Sequence, residues 1–318
     1  MQRLLGGLVA AVALAGACSG GGGDDASDTT LDPANTTTTA PPLPTAEELC
    51  DGAEPVPGPT AAVAQPALVE TSGIAESREN DGLIWAHNDS GGNPELFALG
   101  IDGSDRGRWA VPGATAVDWE DMARGHGEEG IDRLYMADIG DNAAQRPNVV
   151  VYRAPEPEVP AGPSGGSLQD VEALTLTYAD GARDAETILA DPVSGDLFIV
   201  SKQLVGRPGV YRIPAGVEPG GTTTMPRVTD VGVGEATLVT GGDVSVDGSV
   251  IALRTYTSVL LFQRADGQTV SDALAGTPCE APAPTEVQGE ALAFDPDGSG
   301  YVTISEGANP AINHFRLP

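Results

Sequence analysis

The feature that most constrains this chain is a short strand that returns five times. It reads Ser72-Gly-Ile-Ala, Glu120-Asp-Met-Ala, Glu186-Thr-Ile-Leu, Gly242-Asp-Val-Ser and Glu290-Ala-Leu-Ala, in copies 48, 66, 56 and 48 residues apart. Acidic turns such as Asp191-Pro, Asp247-Gly and Asp295-Pro-Asp-Gly follow the copies. A second strand recurs behind them as Leu83-Ile-Trp-Ala-His, Leu134-Tyr-Met-Ala-Asp, Leu197-Phe-Ile-Val-Ser, Val250-Ile-Ala-Leu-Arg and Tyr301-Val-Thr-Ile-Ser. A third begins at Glu95, Val149, Gly209, Val259 and Ile312, and a weaker fourth precedes each new copy. Long helical periodicity is absent from residue 55 onward.

Four short antiparallel strands per unit of about 50 residues predict an all-β, five-bladed β-propeller. The fifth unit runs out at Pro318 after three strands, so an N-terminal strand, Val63 to Val69, is expected to complete the last blade and close the ring. A six-bladed ring with an atypical blade in the 155–182 stretch and an open β-sandwich are the alternatives. The propeller domain is assigned to residues 50–318.

Residues 1–17 read as a signal peptide: Arg3, then an apolar run from Leu4 to Ala17, too short to span a bilayer. The run ends Leu14-Ala15-Gly16-Ala17-Cys18, which resembles a bacterial lipobox. The resemblance implies cleavage before Cys18, lipidation of its sulfur and anchoring to the outer face of the cell membrane. A conventional cut near Ala17 would give a secreted protein instead. Residues 18–49, rich in Gly, Asp, Thr and Pro, read as a disordered tether reaching about 30 Å from the membrane. Two cysteines remain, Cys50 and Cys279, and an oxidising compartment favours their pairing over two buried thiols.

Charge excludes whole classes of partner. The chain has 46 acidic and 16 basic residues, a formal net charge of -30, and Lys202 is its only lysine. Nothing here could neutralise a row of phosphates or dock on anionic lipid, so nucleic acid is excluded and membrane contact is expected only through the N-terminal lipid. A hydrophobic content of 40% is enough for a core.

The repeat register aims many of those acids at one rim of the ring, where inner strands start and second strands end. Asp118, Glu120, Asp138, Asp184, Glu186, Glu290 and Glu306 are the candidate metal ligands, with Ca2+ the candidate ion because a hard cation takes oxygen ligands from several strands. Internal Arg or Lys partners, backbone amides and plain solvation are the other ways to keep such acids apart. Asn88, Asp89, Asn142, Arg146 and Tyr256 are the candidate ligand-binding residues around the mouth. Glu120, Glu186 and Glu290, with Lys202 and Arg254, are the candidate catalytic set: a ligand or general base, and cations to stabilise developing negative charge. Lys202 stands out because an ammonium donates differently from a guanidinium, although a single lysine must fall somewhere. No organic cofactor is expected.

Three motifs are set aside. Asp295 to Glu306 matches a twelve-residue calcium loop, but a strand over 301–306 would carry Glu306 roughly 16 Å from the turn. Gly125 to Gly130 matches GxGxxG without a strand-to-helix unit around it, and Gly162 to Gly166 matches GxSxG inside a Pro/Gly linker. His87 is expected to pack or hydrogen-bond rather than react.

Residues from about 66 to 318 resemble a group of secreted or lipid-anchored actinobacterial propeller proteins, mostly without assigned function. The resemblance rests on Ser72-Gly-Ile-Ala, His87-Asn-Asp-Ser-Gly, Asp118-Trp-Glu-Asp, Asp138-Ile-Gly-Asp-Asn, Asp184-Ala-Glu, Ser201-Lys, Arg254-Thr-Tyr and Gly289-Glu-Ala. More distantly the chain resembles esterase-like phytase propellers, which implies ester hydrolysis and calcium. Two functions are therefore expected in outline. One is an extracytoplasmic propeller whose acidic mouth holds a cation and binds a small polar ligand or a cell-envelope component. The other is a calcium-dependent hydrolase of a phosphate ester, lactone or glycoside.

Overall fold

The structure, a computed structural model, describes residues 42–56, 61–127, 132–286 and 288–318. The signal peptide, Cys18 and most of the expected tether lie outside the described residues.

Five antiparallel sheets form the blades. The first three are built on Thr71–Glu76, Trp119–His126 and Ala185–Ala190, the last two on Val239–Val244 and Gly289–Phe294. These innermost strands pack side by side in chain order, and the last returns to the first, which closes the ring. All five inner strands are almost wholly buried. That burial on both faces favours the small and apolar residues at their centres, such as Ile74-Ala75, Met122-Ala123, Ile188-Leu189 and Leu292-Ala293. The core lies between blades: Ile74, Ile84 and Phe97 of the first pack with Ala291, Val302 and Ile304 of the last.

Closure uses the N-terminus, at a different place from the one expected. Glu54–Pro55 and Ala61–Ala62 pair with Ala311–Arg316, the third strand of the last blade. The stretch from Val63 to Val69 instead crosses into the first blade, with Val63 and Leu68 buried at the seam. Pro66 breaks any ladder there, because proline has no N–H to give.

The expected Cys50–Cys279 disulfide is formed, across a sequence separation of 229 residues. It ties a short helix, Ala46–Gly52, to the outer strand of the fourth blade, Cys279–Ala281. Residues 46–49, given to the tether by composition, are helical. Thr45 and Glu48 make the capping box that starts the turn, and Leu49 is buried.

The atypical 155–182 stretch makes no sixth blade. Ser164–Ser167 runs parallel to Asp105–Ala110 and adds a fifth strand to the first blade. Thr222–Met225 does the same for the second blade, beside Glu172–Tyr178. Both cover outer edges that would otherwise present unpaired amides.

Two buried acids staple the ring from inside. Asp121 Oδ2 accepts from Ile188 N at 3.0 Å, joining the second blade to the third. Asp243 Oδ2 accepts from Phe294 N at 2.9 Å, joining the fourth to the fifth. Burial pushes both carboxyls above the ordinary range, opposed by these amides.

Candidate functional site

Each inner strand carries a register irregularity near its start, at the same place in all five blades. It falls between Thr71 and Ile74, Trp119 and Asp121, Ala185 and Thr187, Val239 and Gly241, and Gly289 and Ala291. The residues left without a cross-strand partner are Ser72 and Gly73, Glu120, Glu186, Thr240 and Glu290. A β-bulge kinks the strand and re-aims the side chain it carries. Here the bulges turn three buried glutamates towards one pocket on the ring axis.

That pocket has a volume of about 220 Å³ and is lined by Glu70, Thr71, Ser72, Asp89, Glu120, Asn142, Glu186, Lys202, Tyr256, Gln288, Glu290 and Glu306. It therefore gathers Glu120, Glu186, Glu290, Glu306, Lys202, Asp89, Asn142 and Tyr256 from the sequence expectation. Thr71 was not anticipated, since nothing in its residue type marks it.

Asp118 and Asp184 stand just behind the wall. Oxygens of Asp89, Asp118 and Glu120 lie within 4.8 Å of one another, as do oxygens of Glu120, Asp184 and Glu186. Glu120 belongs to both groups. Gly140 makes room for them: a Cβ there would sit 2.1 Å from Glu120 Oε1 and 2.5 Å from Asp118 Oδ2.

Four residues named from sequence are placed elsewhere. Arg254 is fully buried and donates from Nη2 to Glu286 Oε2 at 2.6 Å, away from the pocket lining. Asn88 Oδ1 accepts from the backbone N–H groups of Val69 and Glu70, fixing the entry to the first blade. Asp138 does the equivalent work in the second blade by accepting from Asp118 N, and it pairs with Arg146 at 2.8 Å. Arg146 also donates to the Gly140 carbonyl, so it holds the loop above the mouth.

The displaced arginine reflects a register error in one blade. Trp119 faces Asp138, Ala185 faces Ser201, Gly289 faces Ser305, and Val239 faces Thr255 rather than Arg254. Thr240, not Gly242, is thus the fourth blade's counterpart of the mouth glutamates. Its hydroxyl donates to the backbone carbonyls of Gly289 and Glu290. Beside Lys202 stand Glu186 and Tyr256.

The electrostatics are one-sided. Burial, then Glu186, Asp89, Asp118 and Asp184, push the Glu120 carboxyl up to about 11. Glu120 is only 5% exposed. Its side chain has no hydrogen-bond partner among the described residues; Ser72 Oγ reaches only its backbone carbonyl. Burial pushes Glu186 up to about 8 although Lys202 pulls the other way. Burial also raises Glu290 to about 7 against the Gln288 amide, and Asp89 to about 6 with help from Asp118. Lys202 is the counter-charge on the lining. Its Nζ donates to Glu186 Oε1 and, at 2.7 Å, to Tyr256 Oη. Burial alone would lower the ammonium, but Glu186 and Tyr256 outweigh it and raise it.

His87 is buried, stacks edge-on against Trp119 at 5.3 Å and donates from Nδ1 to the Asn88 carbonyl. Its burial depresses the imidazolium. A packing role fits it. Glu306 lines the mouth while Asp295 pairs with His314 and Arg316, so the two ends of the calcium-loop motif do not share a site.

The fold and mouth define the chain as a five-bladed β-propeller with an acidic, cation-poor centre. No protein-family model matches the sequence. No curated protein matches it. Among solved structures, the chain is similar to a gluconolactonase from Xanthomonas campestris, at 13% identity and TM-score 0.47, covering 89% of this chain and 99% of that one. It is also similar to the PQQ-bound aldose sugar dehydrogenase of Streptomyces coelicolor, at 12% identity and TM-score 0.49, covering 87% and 99%. At such identities the likeness concerns the chain path, and no chemistry is carried across.

Proposed function

We propose that the central mouth is a divalent-cation site, Ca2+ by its donor chemistry, which presents the ion to a small polar, oxygen-bearing ligand or cell-envelope component. The observation that carries this reading is Glu120. It is 5% exposed, faces the pocket, accepts no side-chain hydrogen bond among the described residues and is shared by two groups of three acids. Like charges this close raise the free energy of ionising it. A hard cation supplies what the protein withholds. The donors are all carboxylate oxygens, drawn from the mouth ends of the first three blades, which suits the large, flexible shell of calcium better than the strict octahedron of magnesium. Asn142, Tyr256, Gln288 and Thr71 would then offer neutral contacts to a ligand on the ion.

A second reading is hydrolysis of a phosphate ester, lactone or glycoside. The arrangement favouring it is Lys202 held by both Glu186 and Tyr256 at the edge of the same pocket. An ammonium so placed would stabilise negative charge developing on an oxygen that the ion polarises. Arg254 has no part in this, since it is paired with Glu286 and is not on the pocket lining. The proposed setting is the outer face of the cell membrane, with the ring tethered through Cys18.

Elemental analysis of protein purified without chelator tests the main reading, together with melting in EDTA and in calcium. Bound calcium and a melting point several degrees higher with calcium are expected; no bound metal and no shift would overturn it. Chromogenic phosphate-ester, lactone and glycoside substrates, assayed with calcium and with EDTA, decide the second reading. Calcium binding without turnover of any of them would leave the binding role alone.

A further inference from the structure

The two acid groups of the mouth look interchangeable by distance, and they differ in what already satisfies them. In the Glu120–Asp184–Glu186 group, Asp184 Oδ1 accepts from Asp141 N at 2.9 Å and Glu186 accepts from Lys202 Nζ. In the Asp89–Asp118–Glu120 group, no described residue donates to the side chain of Asp118 or Glu120. Their hydrogen bonds run through backbone atoms, such as Asp118 N to Asp138 Oδ1. Asp89 Oδ1 is buried and has no partner at all. Three acids therefore converge on one point with no side-chain donor, offset only by the charge of Arg146 near Asp118 and the Ser90 amide near Asp89, next to three of which two are already occupied.

Lys202 cannot serve both groups. Tyr256 Oη accepts from its Nζ at 2.7 Å, and the ammonium lies 5.0 Å from the centre of the Tyr256 ring. Two directional contacts, with Glu186 and Tyr256, hold the head on the Glu186 side. Without it, Glu120 would be placed to bridge two ions, as carboxylates do in two-metal centres.

Resting on the reading of the mouth as a cation site, we propose that it holds a single divalent ion, seated on Asp89, Asp118 and Glu120. The ammonium of Lys202 occupies the neighbouring Glu120–Asp184–Glu186 station in place of a second ion. Lys202 is then a built-in counter-ion that fixes both the number and the seat of the metal. This gives a reason for a lysine at this position: a compact charge fills an ion's station as a planar guanidinium does not.

Titration calorimetry of the full chain with calcium alone tests this, with terbium luminescence as a second probe. The unsubstituted protein is expected to bind one ion. Asp118→Asn should weaken that ion at least about tenfold, and Asp184→Asn should leave it within about threefold, because each removes a charge from only one station. Lys202→Met should bind two ions. Binding of none by the unsubstituted protein would sink the cation reading itself. Two ions in the unsubstituted protein, equal losses in the two aspartate variants, or one ion in Lys202→Met would overturn this inference and leave the cation reading standing. The aspartate pair decides the seat even where Lys202→Met does not fold.

Discussion

A carboxyl oxygen of Glu76 lies within 4.8 Å of a carboxylate oxygen of Asp295, across the seam between the first and last blades. Glu76 ends the first inner strand, and Asp295 follows the last one. Asp295 is held by His314 Nε2 and Arg316 Nε, both at 2.8 Å, and by Ser299 Oγ at 3.1 Å. Burial, then Asp295, push Glu76 up to about 9, against the opposing pull of Arg316 and Arg124. The Glu76 carboxyl at this seam therefore favours its protonated form.

The sign of the pH dependence follows. From the ordinary glutamate value of 4.5 up to about 9, the folded protein holds a proton at Glu76 that the unfolded chain releases. Its contribution to stability is full below that window and is lost as pH rises through it. Glu76→Gln keeps a donor towards Asp295 and removes the ionisation. The variant should match the parent near pH 5 and exceed it by about 1 kcal/mol or more at pH 9. Melting curves across pH 5 to 9, in EDTA to keep the mouth out of the comparison, read this directly. Parallel curves for the two proteins would refute it.

The disulfide makes a second prediction. Cys50 and Cys279 close a loop across 229 residues, and the strands that complete the last blade follow Cys50 directly. Chain entropy gives an upper figure of about 5 kcal/mol for such a loop. Replacing both cysteines by serine should cost about 2–5 kcal/mol in urea unfolding. The loss should appear first as hydrogen exchange in Ala311–Arg316, the strand that the N-terminal segment covers. Exchange rising uniformly over all five blades would contradict the assignment of the bridge to ring closure.

The ring was legible in the sequence because each blade repeats its inner strand, and strand period alone sets blade number. The parallel additions at Ser164–Ser167 and Thr222–Met225 were not legible. They are short, polar edge strands whose partners are set by tertiary placement rather than by pattern. In the second, third and fifth blades Glu120, Glu186 and Glu290 mark the bulge by their charge, and the structure brings all three to one pocket. In the fourth blade the bulge residue is Thr240, and a run of Thr240, Gly241 and Gly242 offers no charge to anchor the register. The register that the repeat suggests there is out of step with the observed pairing of Val239 with Thr255, which is why Arg254 is expected at the mouth. The bulge that sets the geometry leaves no composition of its own.

Arg254 yields a prediction for that reason. It is wholly buried against Glu286, which also accepts from Asn313 Nδ2 at 2.8 Å. Breaking a buried ion pair from one side leaves the other charge stranded. Arg254→Leu should lose about 3–5 kcal/mol of stability. Calcium affinity, measured below the variant's melting transition, should stay within about threefold of the parent, a difference under 1 kcal/mol. A selective loss of calcium binding with stability intact would put Arg254 back in the site.

Glu120 gives the sharpest test of the mouth because its two states predict different responses. Without metal it is a buried acid crowded by Glu186, Asp89, Asp118 and Asp184, so it destabilises the fold. Glu120→Gln relieves that crowding at nearly constant volume, and in EDTA the variant should melt at the same temperature as the parent or higher. With calcium the same carboxylate becomes a ligand. A ligand at a hundred times its dissociation constant stabilises by about 2.7 kcal/mol, and Glu120→Gln should forfeit most of that gain. One substitution therefore leaves the metal-free protein no weaker and the calcium-loaded protein weaker. Differential scanning calorimetry of both proteins in both buffers gives the four melting points required. A variant that melts lower in EDTA by as much as in calcium would mean that Glu120 supports the fold directly, and that no ion is needed to explain its place.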